Sequence, residues 1–304
     1  MEFNHVSVLL NEVIGTLDIK EGGVYLDCTM GGAGHSFEIA KKMKSGKLIC
    51  VDKDDDALKA GKEKLKQFDF VKFIKSDFKD LETKILFEEF DGILIDLGVS
   101  SHQIDTAERG FSFLRNSKLD MRMDRTQKLS AFEVVNGYDK QKLEKILFEY
   151  GEEKFAKQIV SKIIEKRKTK PIETTFELRD IIESAIPAKY KFSGGCQKTF
   201  QAIRIEVNGE LDKLYETILF FISKLKKGGR IAIISFHSLE DRIVKNAYNF
   251  CLKECLCPPK TPICICGHKK TLCLVSKKPI EASSQELEAN PRSRSAKLRV
   301  GQKI

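Results

Sequence analysis

Four short segments in the first hundred residues carry side chains suited to holding a small polar ligand. Asp27-Cys28-Thr29-Met30-Gly31-Gly32-Ala33-Gly34-His35-Ser36 places an acid and then three glycines where an apolar run gives way to helical character. Glycine lets the backbone turn tightly and approach a ligand, and the helix start beyond it presents N–H groups that have no partner within the helix. Asp52 closes a second apolar run, where a carboxylate can accept hydrogen bonds from both hydroxyls of a ribose. Ser76-Asp77-Phe78 follows a third run, with Phe78 able to give apolar cover to a purine. Asp96 closes a fourth and opens Asp96-Leu97-Gly98-Val99-Ser100-Ser101.

These side chains need a frame that brings them to one edge. Val24–Asp27, Lys47–Val51, Val71–Ile74 and Asp91–Leu97 read as strands. Ser36–Met43, Asp56–Gln67 and Leu81–Glu89 read as the helices between them, the second turning Ala57, Leu58, Ala60, Gly61 and Leu65 inward. Continuous apolar strands separated by helices predict an α/β fold of the doubly wound class, a sheet covered on both faces. Ligands of such sheets bind at the carboxyl ends of the strands, and all four segments fall there. The glycine spacing departs from the dinucleotide fingerprint, because counting from Gly32 the last glycine position is Phe37. An acid followed by glycines suits S-adenosylmethionine, which has no phosphate to bind.

From about Thr106 the pattern turns helical, with Lys142, Ile146 and Tyr150, then Phe155, Ile159, Ile163 and Ile164, at helical spacing and Pro171 and Pro187 as punctuation. The α/β signature resumes at Gly228-Gly229 with a strand over Arg230–Phe236 and a helix over Leu239–Leu252. Leu272–Ser276 and Ala296–Val300 read as a closing strand pair. The expectation is one α/β domain, residues 1–105 and 202–304, interrupted by a helical insertion over 106–201.

A chain of 304 residues has room for that arrangement. Its 41% hydrophobic and 32% charged residues exclude a disordered tail, a collagen-like repeat and a disulfide-stapled miniprotein. Lys and Arg exceed Asp and Glu by 53 to 44, and the resulting +9 leaves two readings open on composition, a polyanionic partner or an ordinary solvated Lys/Glu surface. Its clearest source is Asn290–Ile304, which holds Arg292, Arg294, Lys297, Arg299 and Lys303 and no acid, a basic C-terminal tail. The lysines of Lys154–Lys170 are read as a solvated helix face. The N-terminus lacks a secretory signal, and no stretch approaches the ~20 apolar residues of a bilayer span. A cytoplasmic chain with reduced thiols is expected. Six of the nine cysteines lie from Cys251 to Cys273, with His268 nearby. Cys255, Cys257, Cys264 and Cys266 form C-x-C, six residues, C-x-C. Zinc is one reading, and a reduced cysteine-rich loop is the favoured one, so no metal ligand is assigned.

The blocks HVSVLLNEV (5–13), DCTMGGAGHS (27–36), VDKDDDAL (51–58), DGILIDLGVSSHQIDTAERGFSF (91–113), LDMRMD (119–124), TFQAIRIEVNGEL (199–211), ISFHSLEDRIVK (234–245) and NPRSRSAKLR (290–299) closely resemble the MraW/RsmH family. Its members are bacterial methyltransferases acting on N4 of a cytidine in the decoding region of small-subunit ribosomal RNA. The resemblance spans nearly the whole chain. It implies a Rossmann-like class I S-adenosylmethionine-dependent methyltransferase fold whose helical insertion lies on the substrate side. It also implies S-adenosyl-L-methionine as cofactor and 16S rRNA, within the small ribosomal subunit, as partner. No membrane is involved, and a homodimer is left open. Carried over by position, the cofactor contacts are Ala33, Gly34 and His35 in the loop, Asp52 at the ribose, Phe78 near the adenine, and Asp96 and Gln103 near the methionine end. Ala33 stands where some members have glycine, and its Cβ is expected to cost little at a permitted φ. His35 has a second reading as an ordinary helix-start residue, and His5 reads as packing or capping. Phe111, Phe113 and Met121 line a base pocket or form core, and Arg109 and Arg122 read as partners of phosphate or carboxylate.

Cytosine N4 is a poor nucleophile because its lone pair is delocalised into the ring. Acceptors aimed at the amine hydrogens favour the pyramidal, charge-bearing nitrogen over the planar ground state. Asp96 is assigned as the catalytic acceptor, with the carbonyls and hydroxyls around Ser100 and Ser101 beside it. The N/D/S-P-P-Y/F motif of many DNA amino-methyltransferases is absent, Leu97-Gly98 standing where the prolines would be. The rival readings are the same cofactor chemistry on another nucleic acid or a protein, and a non-catalytic RNA-binding assembly factor.

Overall fold

In the computed structural model, which describes residues 7–190, 194–258, 261 and 263–304, the chain forms two compact units, Met1–Gly98 with Lys213–Ile304, and Val99–Asp212. His5 lies outside the described residues. The first unit begins α1 (Leu10–Thr16), β1 (Val24–Asp27), α2 (Gly34–Met43), β2 (Lys47–Asp52), α3 (Asp55–Leu65), β3 (Val71–Lys75), β4 (Phe90–Asp96). The second unit holds α4 (Ser101–Asp105), α5 (Ala131–Gly137), α6 (Lys140–Glu149), α7 (Ala156–Arg167), α8 (Thr175–Ala185) and α9 (Gly195–Asn208). The first unit then closes with α10 (Leu214–Ser223), β5 (Leu225–Ser235), α11 (Ser238–Leu252), β6 (Leu272–Leu274), α12 (Ser284–Ala289) and β7 (Lys297–Lys303).

Among the described residues seven strands make one sheet in the order β3-β2-β1-β4-β5-β7-β6, parallel from β3 to β5 and antiparallel where β7 meets β5 and β6. Leu48, Ile49, Cys50 and Val51 of β2 and Ile93, Leu94 and Ile95 of β4 are all buried, as a sheet packed on both faces requires. α3 turns Ala57, Leu58, Gly61 and Leu65 inward, while Ala60 is half-buried. The second unit has its own core, built from Leu143, Ile146, Leu147, Ile159, Val160, Ile163, Ile182 and Ile203 among others.

Several boundaries differ from expectation. Residues 81–89 make turns and no helix, with Lys84 and Ile85 both bonded back to the Leu81 carbonyl. Only Leu81 and Ile85 find cover there, and Phe87 is 96% exposed, so no continuous apolar face exists to hold a helix against the sheet. Gly228-Gly229 lies within β5, opposite a register irregularity between Phe90 and Gly92. A domain boundary at 201/202 would cut α9, which runs unbroken to Asn208 and stops where Gly209 takes φ 56°. In α6 it is Leu143, one position on from Lys142, that enters the core. Residues 297–303 are no tail, because they form β7, hydrogen-bonded on both sides within the sheet.

Candidate functional site: a cofactor cradle at the sheet edge

β1 and β4 lie side by side, with Asp27 level with Leu94, at the point where the strand order reverses. Crossovers leave in opposite directions from such a pair, so a crevice opens beyond the carboxyl ends of the strands. Asp27 is buried there and is engaged internally. Its carboxylate accepts the Ser36 hydroxyl at 2.5 Å and the Thr29 N–H at 3.1 Å, which ties the first turn of α2 to the end of β1. Burial pushes this carboxyl up to about 6, against the pull of the two hydrogen bonds.

The loop that follows is shaped by two small residues. Ala33 caps α2 with φ 55° and ψ 31°, the left-handed region. The expectation of a cheap, permitted φ is therefore corrected, since a Cβ in that conformation costs about 1 kcal/mol. Gly34 opens the helix, and a Cβ there would lie 1.9 Å from the Ser7 hydroxyl oxygen. Its hydrogen is what lets the segment around Ser7 lie against the helix start. His35 is buried behind it, its Nε2 3.0 Å from the Val8 carbonyl and its Nδ1 3.9 Å from Asp96 Oδ2. The residue thus joins the N-terminal segment to the end of β4, more than an ordinary helix start requires.

Asp52 ends β2 with both oxygens in use. Oδ2 accepts the Gly31 N–H at 2.8 Å and Oδ1 the Asp54 N–H at 2.8 Å, so the acid shapes the glycine loop and the turn into α3 together. Burial raises its carboxyl to about 6. Phe78, half-buried, opens a 3₁₀ turn capped by Asp77, which accepts the Lys79 N–H at 3.0 Å and pairs with Lys53 at 3.1 Å. Burial works against the Asp77 charge, but Lys53 and Lys79 outweigh it and hold the carboxyl below its ordinary range.

Asp96 is the most unusual of these groups. Its N–H donates to the Thr29 hydroxyl at 2.6 Å, and its Oδ1 is buried with no hydrogen-bond partner among the described residues. Burial first, then the nearby Asp27 and Glu240 charges, lift its carboxyl well above the usual range. A buried polar atom without a partner is uncommon in folded proteins, and a donor brought to the carboxyl end of β4 would satisfy it. This oxygen fits a ligand that brings a hydrogen-bond donor or positive charge.

Two contributors escaped the sequence reading. Thr29 orients Asp96 through its backbone. Glu240, 1% exposed, accepts the Phe236 N–H at 2.8 Å, lies 3.2 Å from His237 Nε2 and adds its charge beside Asp96. The signal for Glu240 was present as the acid of a capping box in His-Ser-Leu-Glu, with His237 an uncommon N-cap.

Gln103 belongs to the second unit, where it and Ser100 complete a capping box on α4 at 3.0 and 3.2 Å. In the same unit Phe111 and Met121 are core, and Phe113 packs edge-on against Phe200. Arg109, 1% exposed, donates to the Arg122 and Met123 carbonyls, and Arg122 grips Asp120 through two nitrogens at 2.9 and 2.7 Å. These arginines hold the 119–124 segment in place. Lys162 and Lys170 pair with Glu165 and Glu177, as a solvated helix surface does.

The profile of the MraW methylase family matches residues 2–304. The ribosomal RNA small subunit methyltransferase H of Finegoldia magna is 52% identical over 311 residues, covering 100% of both chains. The enzyme of the same name from Clostridium botulinum, strain Kyoto, is 53% identical over 309 residues, again covering 100% of both. Among solved structures, a methyltransferase from Streptococcus mutans in complex with SAH aligns over 98% of this chain and 99% of its own, at 12% identity and a TM-score of 0.45.

Proposed function

The chain belongs to the MraW methylase family, and from that premise we propose that it transfers a methyl group from S-adenosyl-L-methionine to N4 of a cytidine in the decoding region of 16S rRNA. Methylation of ribosomal RNA is the part carried by full-length likeness to the small subunit methyltransferases H. The N4 target and its place in the decoding region are what the resemblance implies, and acceptors at the strand ends are compatible with an amine substrate. The cytoplasm, where ribosomes are assembled, is the setting this reading requires. Among the described residues no helix is long and apolar enough to cross a membrane.

The observation that carries the reading is the partnerless buried Oδ1 of Asp96 at the carboxyl end of β4. When bound at this edge, the cofactor supplies an electrophilic methyl group on a sulfonium. Asp52 would accept the ribose hydroxyls, Phe78 would cover the adenine, and the Ala33–His35 turn would hold the remainder. Asp96 would accept the amine hydrogens of the target base, drawing the nitrogen lone pair out of conjugation. Burial beside Asp27 and Glu240 disfavours its ionised form in the free protein, and a cationic ligand nearby would restore it. The methylated nitrogen is acidic enough to lose its proton to water, so the residues need supply no separate general base. The base must reach the crevice unstacked.

The test is methyl transfer to small ribosomal subunits, naked 16S rRNA and DNA, followed by nucleoside analysis. N4-methylated cytidine in RNA is expected. Asp96→Asn is expected to lower kcat by about 10²–10³-fold, and full turnover with normal cofactor affinity in that variant would refute the acceptor role. Failure to bind S-adenosylhomocysteine would favour the assembly-factor reading.

A further inference from the structure

The loop between α11 and β6 brings together thiols that the methyl-transfer chemistry does not use. Cys255, Cys257, Cys264 and Cys266 come from two Cys-x-Cys pairs, yet their sulfurs all lie within 4.8 Å of one another. Cys255 Sγ is 3.3 Å from Cys264 Sγ and 3.6 Å from Cys266 Sγ. Cys264 Sγ is 3.6 Å from Cys266 Sγ and 4.0 Å from Cys257 Sγ. Four sulfurs on a tetrahedron around zinc, each at a Zn–S distance of ~2.3 Å, stand about 3.8 Å apart. The observed separations bracket that value, and all four are free thiols.

Backbone donors already point at the sulfurs. The Leu256 N–H lies 3.3 Å from Cys266 Sγ, the Cys257 N–H 3.3 Å from Cys255 Sγ and the Ile265 N–H 3.4 Å from Cys257 Sγ. Peptide N–H groups directed at sulfur are the outer support that thiolate sites use to spread negative charge. Among the described residues around this point there is little apolar cover to order the loop. Ile263 and Ile265 are 76% and 85% exposed, and the four cysteines contribute no apolar core. His268 is engaged elsewhere, bonded to the Phe250 carbonyl at 3.0 Å with its ring against Phe250.

We propose that Cys255, Cys257, Cys264 and Cys266 bind one zinc ion as a closed four-thiolate structural centre that clips this loop. Binding displaces four thiol protons and leaves a centre of net charge −2, offset by the N–H donors and by Lys253, Lys269 and Lys270 in the same loop. A closed four-protein-ligand site has no open position for substrate, so its role is to hold the chain. Its place in the fold agrees. α11 starts at the carboxyl end of β5 and runs back, and β6 is the outermost strand at the far side of the sheet from β1. The centre therefore sits at the opposite end of the strands from Asp27, Asp52 and Asp96.

The test uses the full chain purified without a metal-binding tag and kept reduced. About one equivalent of zinc is expected by elemental analysis. Replacing it with cobalt(II) should give the intense thiolate-to-cobalt charge-transfer and d–d bands of a tetrahedral four-sulfur site. Cys255→Ser with Cys266→Ser should abolish stoichiometric zinc, while Cys273→Ser should retain it. Removing the metal should expose the segment over 253–271 to protease and leave S-adenosylhomocysteine affinity within about two-fold, as expected for well-separated sites. Less than a few tenths of an equivalent of zinc, both as purified and after incubation with zinc and dialysis, would overturn the proposal. So would disulfides among these four cysteines in protein alkylated under anaerobic conditions. Should the double variant fail to fold, the cobalt spectrum of the unaltered chain still decides.

Discussion

In the proposed role, Asp52 would serve its own backbone and a ligand with the same two oxygens. Each oxygen already accepts one N–H, from Gly31 and from Asp54, and each keeps a further lone pair for a hydroxyl. Ribose hydroxyls donate best to the ionised form, and burial has raised this carboxyl to about 6. The sign of the pH dependence follows. A ligand that prefers the deprotonated acid binds more weakly as pH falls through about 6, its dissociation constant rising toward tenfold per pH unit. Calorimetric titration with S-adenosylhomocysteine across that range should show the rise. Asp52→Asn should flatten it and weaken binding in alkaline solution by about 10–100-fold. Asp27 titrates in the same range, so a pH profile that survives unchanged in Asp52→Asn would move the effect to Asp27 and remove the ribose assignment.

Among the elements, β7 changes most in meaning. Its cations suggested an RNA-binding tail, but Leu298 and Val300 are buried and alternate with them. Arg299 reaches α11 and grips Asp241 at 2.7 and 3.0 Å, and Lys303 donates to the Ile222 and Ser223 carbonyls. Burial opposes the Asp241 charge, but the Arg299 hydrogen bonds outweigh it and hold the carboxyl low. The pair's contribution is therefore present near neutrality and lost as pH falls through the lowered value. Arg299→Met should lower unfolding stability at neutral pH by about 1–3 kcal/mol, measured by denaturant titration, and leave RNA affinity unchanged. A loss of RNA affinity without loss of stability would restore the tail reading for this residue.

For the molecule as a whole, the +9 charge makes association with RNA a salt-dependent quantity. With Arg299 and Lys303 committed to the fold, Arg292 and Arg294 in the exposed 3₁₀ turn Pro291–Ser295 are the C-terminal cations best placed to meet phosphate. The logarithm of the association constant should fall linearly with the logarithm of salt concentration. Replacing both arginines by alanine should reduce that slope by about 0.7 for each phosphate of single-stranded RNA that they neutralise. An unchanged slope would place the electrostatic contact elsewhere.

Much of the frame was legible before any coordinates. β1, β2, β4 and α11 follow from unbroken apolar runs and helical spacing, and the strand-end positions of Asp52 and Asp96 follow from those runs. This information is local, because a buried strand must be apolar wherever its partners lie. The 81–89 turns, the outer limits of α9 and the true place of Lys297–Lys303 were not legible, since each depends on what else covers the chain there. The partnerless Asp96 oxygen, the left-handed Ala33 and the meeting of four thiols from two separate Cys-x-Cys pairs are facts of tertiary structure alone. Sequence spacing names the groups that could bind or react. Only folding decides which donors satisfy them, which charges raise or lower them and which oxygen is left without a partner.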